Sequence, residues 1–368
     1  MIAHEAQRQA RRALRELVPS MSDWTFDLVF DTSRGPQDLT SAEDLSAALS
    51  QRLGPMLLAR ARDEQATLPP GLAEEIAVHS AMLQLRSRAL VKEAASAIAA
   101  LNEHGIECVV SKGPGIAAAY RSPAARTFGD IDVLVVPEDF VRSREILSGL
   151  GWERDSCVDE QRQYFERRCR EAVNLRKGAT GSLDLHHHVP PWLWGQRLTV
   201  EGLLARANRL LLEDGVELPV VDPVDNFLIA CLHIVSDRSR PGQSLHVWRD
   251  IIELGRRVDV AEVAERAAPA RLLGWVAAVI ESIPPEARPF EVPSEWAVAA
   301  IPHPRRLRQI LQSDDRASDV TRHAARLPSV PNGVAYLAGV IVPSREFLEE
   351  NVDGSFKHLR WTAKAGRR

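Results

Sequence analysis

Residues 126–135 read RTFGDIDVLV, and residues 111–114, a short way before them, read SKGP. The longer stretch ends in an apolar run that predicts a β-strand over residues 130–136, and SKGP predicts a glycine turn that opens a helix. Because side chains two residues apart on a strand point to the same face, we expect Asp130 and Asp132 to project together. The two stretches therefore predict a turn, a helix and a strand that carries two carboxylates.

The paired carboxylates of Asp130 and Asp132 repel each other and resist full ionisation unless a cation lies between them. A Mg²⁺ ion that also binds a polyphosphate commonly fills such a position in proteins. The turn at Lys112 and Gly113 would add backbone N–H groups and a helix N-terminus, which suit phosphate oxygens. These features favour an enzyme that transfers a phosphoryl or nucleotidyl group.

A third carboxylate, that of Asp184, lies in the second strand of a β-hairpin predicted over residues 172–186. If this strand pairs beside the strand of the paired aspartates, three carboxylates from two strands can hold two divalent cations about 4 Å apart. Asp184 is then the candidate ligand of the second cation and a candidate base. Lys112 would add a positive charge, and Arg126 either reaches an outer phosphate or forms a salt bridge to one of the same aspartates.

Weaker signals indicate residues on the acceptor side of the site. His186 shares a strand face with Asp184, and we expect it to orient the acceptor or a carboxylate. A zinc site at the His186–His188 triplet is disfavoured, because no remote partner at metal-ligand spacing is evident. The further candidates, all in the helical half of the chain, are His233, Arg238 and Asp250.

The pattern along the chain predicts an α+β fold, in which a small mixed β-sheet is flanked by N-terminal and C-terminal helical regions. Residues 1–105 are predicted as the N-terminal helical region, with a long helix over about 72–102, and residues 106–195 as the α/β core. Residues 196–345 are predicted as a C-terminal helical domain, and residues 346–368 as a tail.

Composition limits the classes of protein. The net charge of −4 over 368 residues gives no bulk electrostatic reason to bind nucleic acid. No window approaches the roughly 18 apolar residues needed to cross a bilayer, and no signal-peptide core is present, so we predict a cytoplasmic protein without a membrane partner. The cysteines are too scattered for a zinc site or a disulfide framework, which predicts small buried residues in a reducing compartment. They are Cys108, Cys157, Cys169 and Cys231.

The order of the site residues resembles the uncharacterised nucleotidyltransferase family of the polymerase-beta-like superfamily. The resemblance covers about residues 75–345, and the residues that carry it are Lys112, Gly113, Tyr120, Pro123, Arg126, Asp130, Asp132 and the later Asp184-Leu185-His186. It implies a Mg²⁺- or Mn²⁺-dependent transfer of a nucleotidyl group from a nucleoside triphosphate to a hydroxyl or phosphate of an acceptor. The catalytic and metal-binding residues would be Asp130, Asp132 and Asp184. The nucleotide-binding residues would be Ser111, Lys112, Gly113 and Arg126.

One departure from the superfamily pattern leaves the donor open. The usual glycine-serine pair is absent, because Lys112-Gly113 stands in its place and Ser111 lies on the other side. A glycosyl or phosphosugar transferase that uses a nucleotide sugar on the same fold is therefore an alternative, and a non-catalytic nucleotide-binding protein is another. The acceptor, for instance a natural product or a peptide, is not specified by these residues, and the acidic balance disfavours nucleic acid.

Overall fold

The computed structural model describes residues 23–30, 36–39, 41–154, 172–189, 197–236 and 245–298. Within these residues the helices are α1 (Asp23–Phe30), α2 (Ala42–Ser50), α3 (Gly54–Asp63), α4 (Pro70–Glu103), α5 (Gly113–Ala117), α6 (Phe140–Gly149), α7 (Val200–Ala205), α8 (Pro223–Ser236), α9 (Leu245–Gly255), α10 (Val260–Ala267), α11 (Leu273–Ser282) and α12 (Ser294–Val298). The strands are β1 (Cys108–Ser111), β2 (Ile131–Val135), β3 (Glu153–Arg154), β4 (Ala172–Lys177), β5 (Gly181–His186), β6 (Asn208–Leu211) and β7 (Glu217–Val220).

Helices precede and follow a single mixed sheet of seven described strands, which confirms the predicted α+β class. The sheet has the order β3-β4-β5-β2-β1-β7-β6, so that β2 lies at its centre. β2 runs antiparallel to β1 and parallel to β5. In this register Ser111 pairs with Asp132, and Asp132 pairs with Asp184. The predicted domain boundaries stay predictions.

Alternation along the central strands separates two hydrophobic cores. Val133 and Val135 of β2 and Leu183 of β5 are buried in the core that includes residues of α4 and α6. Leu134 belongs to the other core, which contains residues of α8, α9 and α11. Because side chains alternate along a strand, Asp132 lies on the same face as Leu134 and therefore faces the C-terminal helices.

The long helix α4 supports the sheet from behind. It has 34 residues and begins with Pro70, in the first turn that proline tolerates. Its C-terminal half buries Leu90, Ala94 and Leu101 in the core that it shares with the sheet. The helix predicted over about 72–102 is thus confirmed. None of the described helices, α4 included, combines the length and the apolar character that a membrane crossing requires.

A β-hairpin replaces part of the predicted C-terminal helical pattern. The prediction of helix after residue 196 is wrong over residues 208–220, where β6 and β7 pair in antiparallel fashion. The hairpin turns at Asp214-Gly215, a dipeptide that favours tight turns. The two strands are short and β7 gains its position by parallel pairing with β1, a long-range contact that the local sequence does not encode.

Some predictions concern residues outside the described ranges. These residues are Arg238, Cys157 and Cys169, together with the tail at 346–368. The other two cysteines, Cys108 and Cys231, are free and buried, as the sequence predicts.

A buried carboxylate joins three helices, α7, α8 and α10, next to the site. Asp225, in the first turn of α8, is fully buried and accepts hydrogen bonds from Nε and Nη2 of Arg206 at 2.8 and 3.2 Å. Arg266 Nη1 of α10 lies 3.3 Å from the same carboxylate. Loss of this carboxylate would leave Arg206 without its counter-charge, and Arg266 would keep only its pair with Asp222.

We therefore expect Asp225→Ala to lower the free energy of unfolding by about 2–4 kcal/mol, because it removes the shared partner of two cations. Arg209→Ala is the matched control, since it breaks only the exposed Arg209–Glu217 pair of the β6–β7 hairpin and should cost less than about 1 kcal/mol. Urea denaturation followed by circular dichroism measures both variants. Equally small losses would contradict the role given to Asp225.

Candidate functional site

The centre of the candidate site is a pair of carboxylates on neighbouring parallel strands. Asp132 of β2 is the direct partner of Asp184 of β5, and His186 follows Asp184 on the same strand face. One ligand atom from each of these three side chains lies within 4.8 Å of the other two. In addition, His186 Nε2 lies 2.9 Å from Asp132 Oδ1. Two carboxylates and an imidazole at this spacing could hold a metal ion.

Asp130 lies beside this group rather than within it. β2 begins at Ile131, so the prediction that the strand starts at residue 130 is wrong by one residue, and Asp130 occupies a bend before the strand. Its side chain is exposed, whereas Asp132 is buried. The catalytic and metal-binding role of Asp130 stays a prediction.

The three aspartates hold protons with different strength. Burial and the charge of Asp132 raise the pKa of Asp184 to about 6. Burial also favours the protonated form of Asp132, but Lys112 and the hydrogen bond to His186 outweigh it and hold the pKa of Asp132 well below its usual range. For Asp130, desolvation by the surrounding protein is the larger cause and the charge of Asp132 is the second, and both raise its pKa. The metal-free site thus concentrates negative charge that a divalent cation would neutralise.

Lys112 links the predicted phosphate turn to these carboxylates. Its Nζ lies 3.4 Å from Asp132 Oδ1. Its backbone has φ +53° and ψ −136°, a conformation that glycine adopts far more readily than lysine. The Lys112 N–H donates to Asn226 Oδ1 at 3.0 Å, and Asn226 Nδ2 donates to the Val221 carbonyl at 3.0 Å. Asn226 of α8 therefore helps to hold the turn in this strained conformation.

The approach of Asn226 to the turn depends on a missing side chain. A Cβ on Gly115 would lie 2.9 Å from Asn226 Nδ2, a contact that a larger residue would have to displace. Because the Lys112 N–H already bonds to Asn226, and Pro114 has no N–H, the turn offers fewer backbone donors to a phosphate than its sequence predicts. The nucleotide-binding roles of this turn stay predictions.

Arg126 pairs with a carboxylate of the C-terminal helices. Its Nε and Nη2 lie 2.7 and 2.8 Å from the carboxylate oxygens of Asp250 on α9, and the Tyr120 hydroxyl donates to the same carboxylate at 2.6 Å. Burial and the charge of Asp250 raise the pKa of Tyr120 well above its ordinary value, so that the hydroxyl stays a donor. Of the two roles predicted for Arg126, a salt bridge is present, but with Asp250 instead of an aspartate of the site.

The predicted acceptor-side residues fall into different surroundings. His186 lies in the central group, and His233 of α8 is close enough for its charge to contribute to the lowered pKa of Asp132. Asp250 is enclosed by Arg126 and Tyr120. These acceptor roles stay predictions.

Two residues near the site were not identified from the sequence. Asn226 carried one usable signal, since a buried asparagine early in a helix that starts with proline must find polar partners. Arg52 carried none, because it lies in the N-terminal helical region, far along the chain from the aspartates. Its Nη1 lies 3.1 Å from the position that a Cβ on Gly129 would take, next to Asp130.

No curated protein matches the chain. Among solved structures, the chain is similar to an antigenic nucleotidyltransferase-like protein from Paracoccidioides brasiliensis, with 15% identity and a TM-score of 0.29 over 53% of this chain and 91% of that chain. A family model described as an uncharacterised nucleotidyltransferase matches residues 42–282, which is more than half of the chain. The chain therefore belongs to the uncharacterised nucleotidyltransferase family.

Proposed function

We propose that this protein is a Mg²⁺- or Mn²⁺-dependent enzyme that moves a nucleotidyl group from a nucleoside triphosphate to a hydroxyl or phosphate of an acceptor. The observation that carries the proposal is the direct pairing of Asp132 with Asp184 across two parallel strands, with His186 beside them. Membership of the family supports the reaction class. The nucleotide donor and the metal are part of the proposal.

The residues of the central group suit a divalent cation. Carboxylate oxygens are preferred ligands of Mg²⁺ and Mn²⁺, and an imidazole is compatible with Mn²⁺ and zinc. His186 Nδ1 is buried and has no hydrogen-bond partner within the described residues, so this donor atom is available to a ligand. Asp132, Asp184 and His186 would hold the ion, with Asp130 as a further carboxylate. When bound, such an ion neutralises phosphate charge and lowers the pKa of an attacking hydroxyl.

The remaining groups would act on the donor and the acceptor directly. Lys112, whose Nζ already lies beside Asp132, would place its positive charge on a phosphate of the donor. Asn226 would act as a positioning residue, because its side chain fixes the Lys112 backbone. Asp184, on the same strand face as Asp132, would accept the proton of the acceptor hydroxyl as the new bond to phosphorus forms and pyrophosphate leaves.

We expect Asp132→Asn and Asp184→Asn to lower Mn²⁺ affinity and the rate of transfer by about 100-fold or more, since each removes a charged ligand. Asp214→Asn, in the exposed turn of the β6–β7 hairpin, is the control and should change neither. Isothermal titration with Mn²⁺ measures binding. Label transfer from each of four α-labelled nucleoside triphosphates to fractionated cell extract, with pyrophosphate release, measures turnover.

The same assay separates the alternatives. Transfer from a panel of labelled nucleotide sugars, but not from triphosphates, would support the glycosyl or phosphosugar transferase. Binding of Mg²⁺-triphosphate without turnover across all extract fractions would support the non-catalytic protein. Full activity of Asp132→Asn would contradict the site.

A second expectation needs no acceptor. The pKa of Asp184 rises from 3.8 to about 6 on folding, so its ionised form is disfavoured in the metal-free folded state. This cost is absent below about pH 4, grows up to about pH 6 and is complete above it. In EDTA at pH 8, Asp184→Asn should therefore be more stable than the wild type by about 2–3 kcal/mol, and the difference should vanish near pH 4.

Urea denaturation at about pH 8 and about pH 4, with and without Mn²⁺, measures this difference. Saturating Mn²⁺ should stabilise the wild type and reverse the order of the two proteins at pH 8, because the ion binds the folded wild-type site more tightly than the site of the variant. A variant that is less stable than the wild type in EDTA at pH 8 would show that the two carboxylates do not repel each other as described.

A further inference from the structure

Arg52 lies two residues after the last residue of helix α2 and adopts a backbone conformation that is typical of glycine. The Leu53 N–H bonds to the Ala48 carbonyl at 2.8 Å and the Arg52 N–H to the Leu49 carbonyl at 3.0 Å, a pairing typical of a helix that stops with a left-handed residue. Arg52 has φ +56°. Arginine adopts this conformation at a cost that glycine does not have.

The strained backbone does not by itself distinguish Arg52. Arg271 ends a helical segment in the same way, with the Leu272 N–H bonded to the Ala267 carbonyl and with φ +52°. Both arginines are exposed. What differs is the surface on which each side chain lies, so Arg271 provides a control of the same residue type in the same conformation.

The guanidinium of Arg52 lies at the edge of the carboxylate site. Its Nη1 and Nη2 lie 3.1 and 3.6 Å from the position that a Cβ on Gly129 would take. Desolvation and the charge of Asp132 raise the pKa of the adjacent Asp130, and the charge of Arg52 offsets part of that rise. Within the residues that the structure describes, no carboxylate forms a salt bridge or hydrogen bond with Arg52.

Among the described residues, Arg126 and Lys112 are the other cations near the aspartates, and each already contacts a carboxylate, although Lys112 still has a donor phosphate within its proposed role. Arg126 is bonded to Asp250 through two nitrogens, and Lys112 Nζ lies beside Asp132. A guanidinium is a planar donor that binds a phosphate through two parallel hydrogen bonds, and it stays charged at all physiological pH values. Arg52 therefore has the chemistry and the location to bind an anionic group that is held in front of Asp130.

We propose that Arg52 binds the outer phosphates of the donor, and that this contact makes the site bind a nucleoside triphosphate in preference to a nucleoside monophosphate. The proposal rests on the proposed function, because it requires a donor phosphate at the carboxylates. In this arrangement the N-terminal helical region contributes a residue to the site, and Arg52 takes the role that the sequence suggests for Arg126. Binding of the terminal phosphate compensates for the strained end of α2.

The test compares Arg52→Gly with Arg271→Gly in the full chain. The probes are Mg²⁺ with each of ATP, GTP, CTP and UTP, Mg²⁺ with inorganic tripolyphosphate, and the four nucleoside monophosphates. In calorimetry, Arg52→Gly should lose about tenfold in affinity for tripolyphosphate and for whichever triphosphate the wild type binds. Its affinity for the monophosphate of the same nucleoside should change by less than about twofold. Arg271→Gly should bind every probe like the wild type.

Thermal melting supplies the readout that a merely structural role would not give. Glycine fits the left-handed position, so the melting temperature of both variants should not fall and should rise by up to roughly 1–3 °C. Arg52→Gly should thus lose affinity without losing stability. Arg52→Lys keeps the charge but not the paired donors, and should retain part of the affinity.

Three results would overturn the proposal. Equal triphosphate affinity in Arg52→Gly and Arg271→Gly would remove Arg52 from the site and leave the proposed function intact, provided that the wild type binds. An equal loss for monophosphate and triphosphate would contradict the assignment to the outer phosphates. A wild type that binds none of the probes would overturn the proposed function and this proposal with it.

Discussion

Two carboxylates of like charge, Asp132 and Asp184, face each other across a parallel pair of buried strands, and the rest of the site is arranged around their repulsion. Folding must bring them together even though burial disfavours the charge on both. Lys112 and His186 both contact Asp132, which therefore remains ionised. Asp184 has less compensation, and its raised pKa is the result.

The sheet allows this concentration of charge because its two faces have separate tasks. On β2 and β5, alternate side chains fill the core under α4 and α6, which anchors both strands. The intervening positions are free to carry Asp132, Asp184 and His186 toward the C-terminal helices. The stability of one face therefore supports an unfavourable arrangement of charges on the other.

Local pattern was enough to predict some of these features. The apolar run in residues 131–135 and the alternation in residues 181–186 indicate two strands, and on the second strand Asp184 and His186 share a face. The pattern does not specify which strands are neighbours. It also predicts helix over residues 208–220, because the pairing of β7 with β1 is a long-range contact that the local sequence does not encode. The pattern does not identify the partner of Arg126 either, because in the sequence Asp250 resembles any exposed acidic residue of a helix.

The contact between Asn226 and the Lys112 turn spans 114 residues of sequence, and the Arg126–Asp250 pair spans 124. Contacts of such long range close late, because the intervening chain must be ordered first. During synthesis on the ribosome, the turn and both central strands emerge well before α8 and α9 exist. A nascent chain that has completed its sheet would therefore still lack the groups that shape the Lys112 turn. Its site would take its final form only when the C-terminal helices are made.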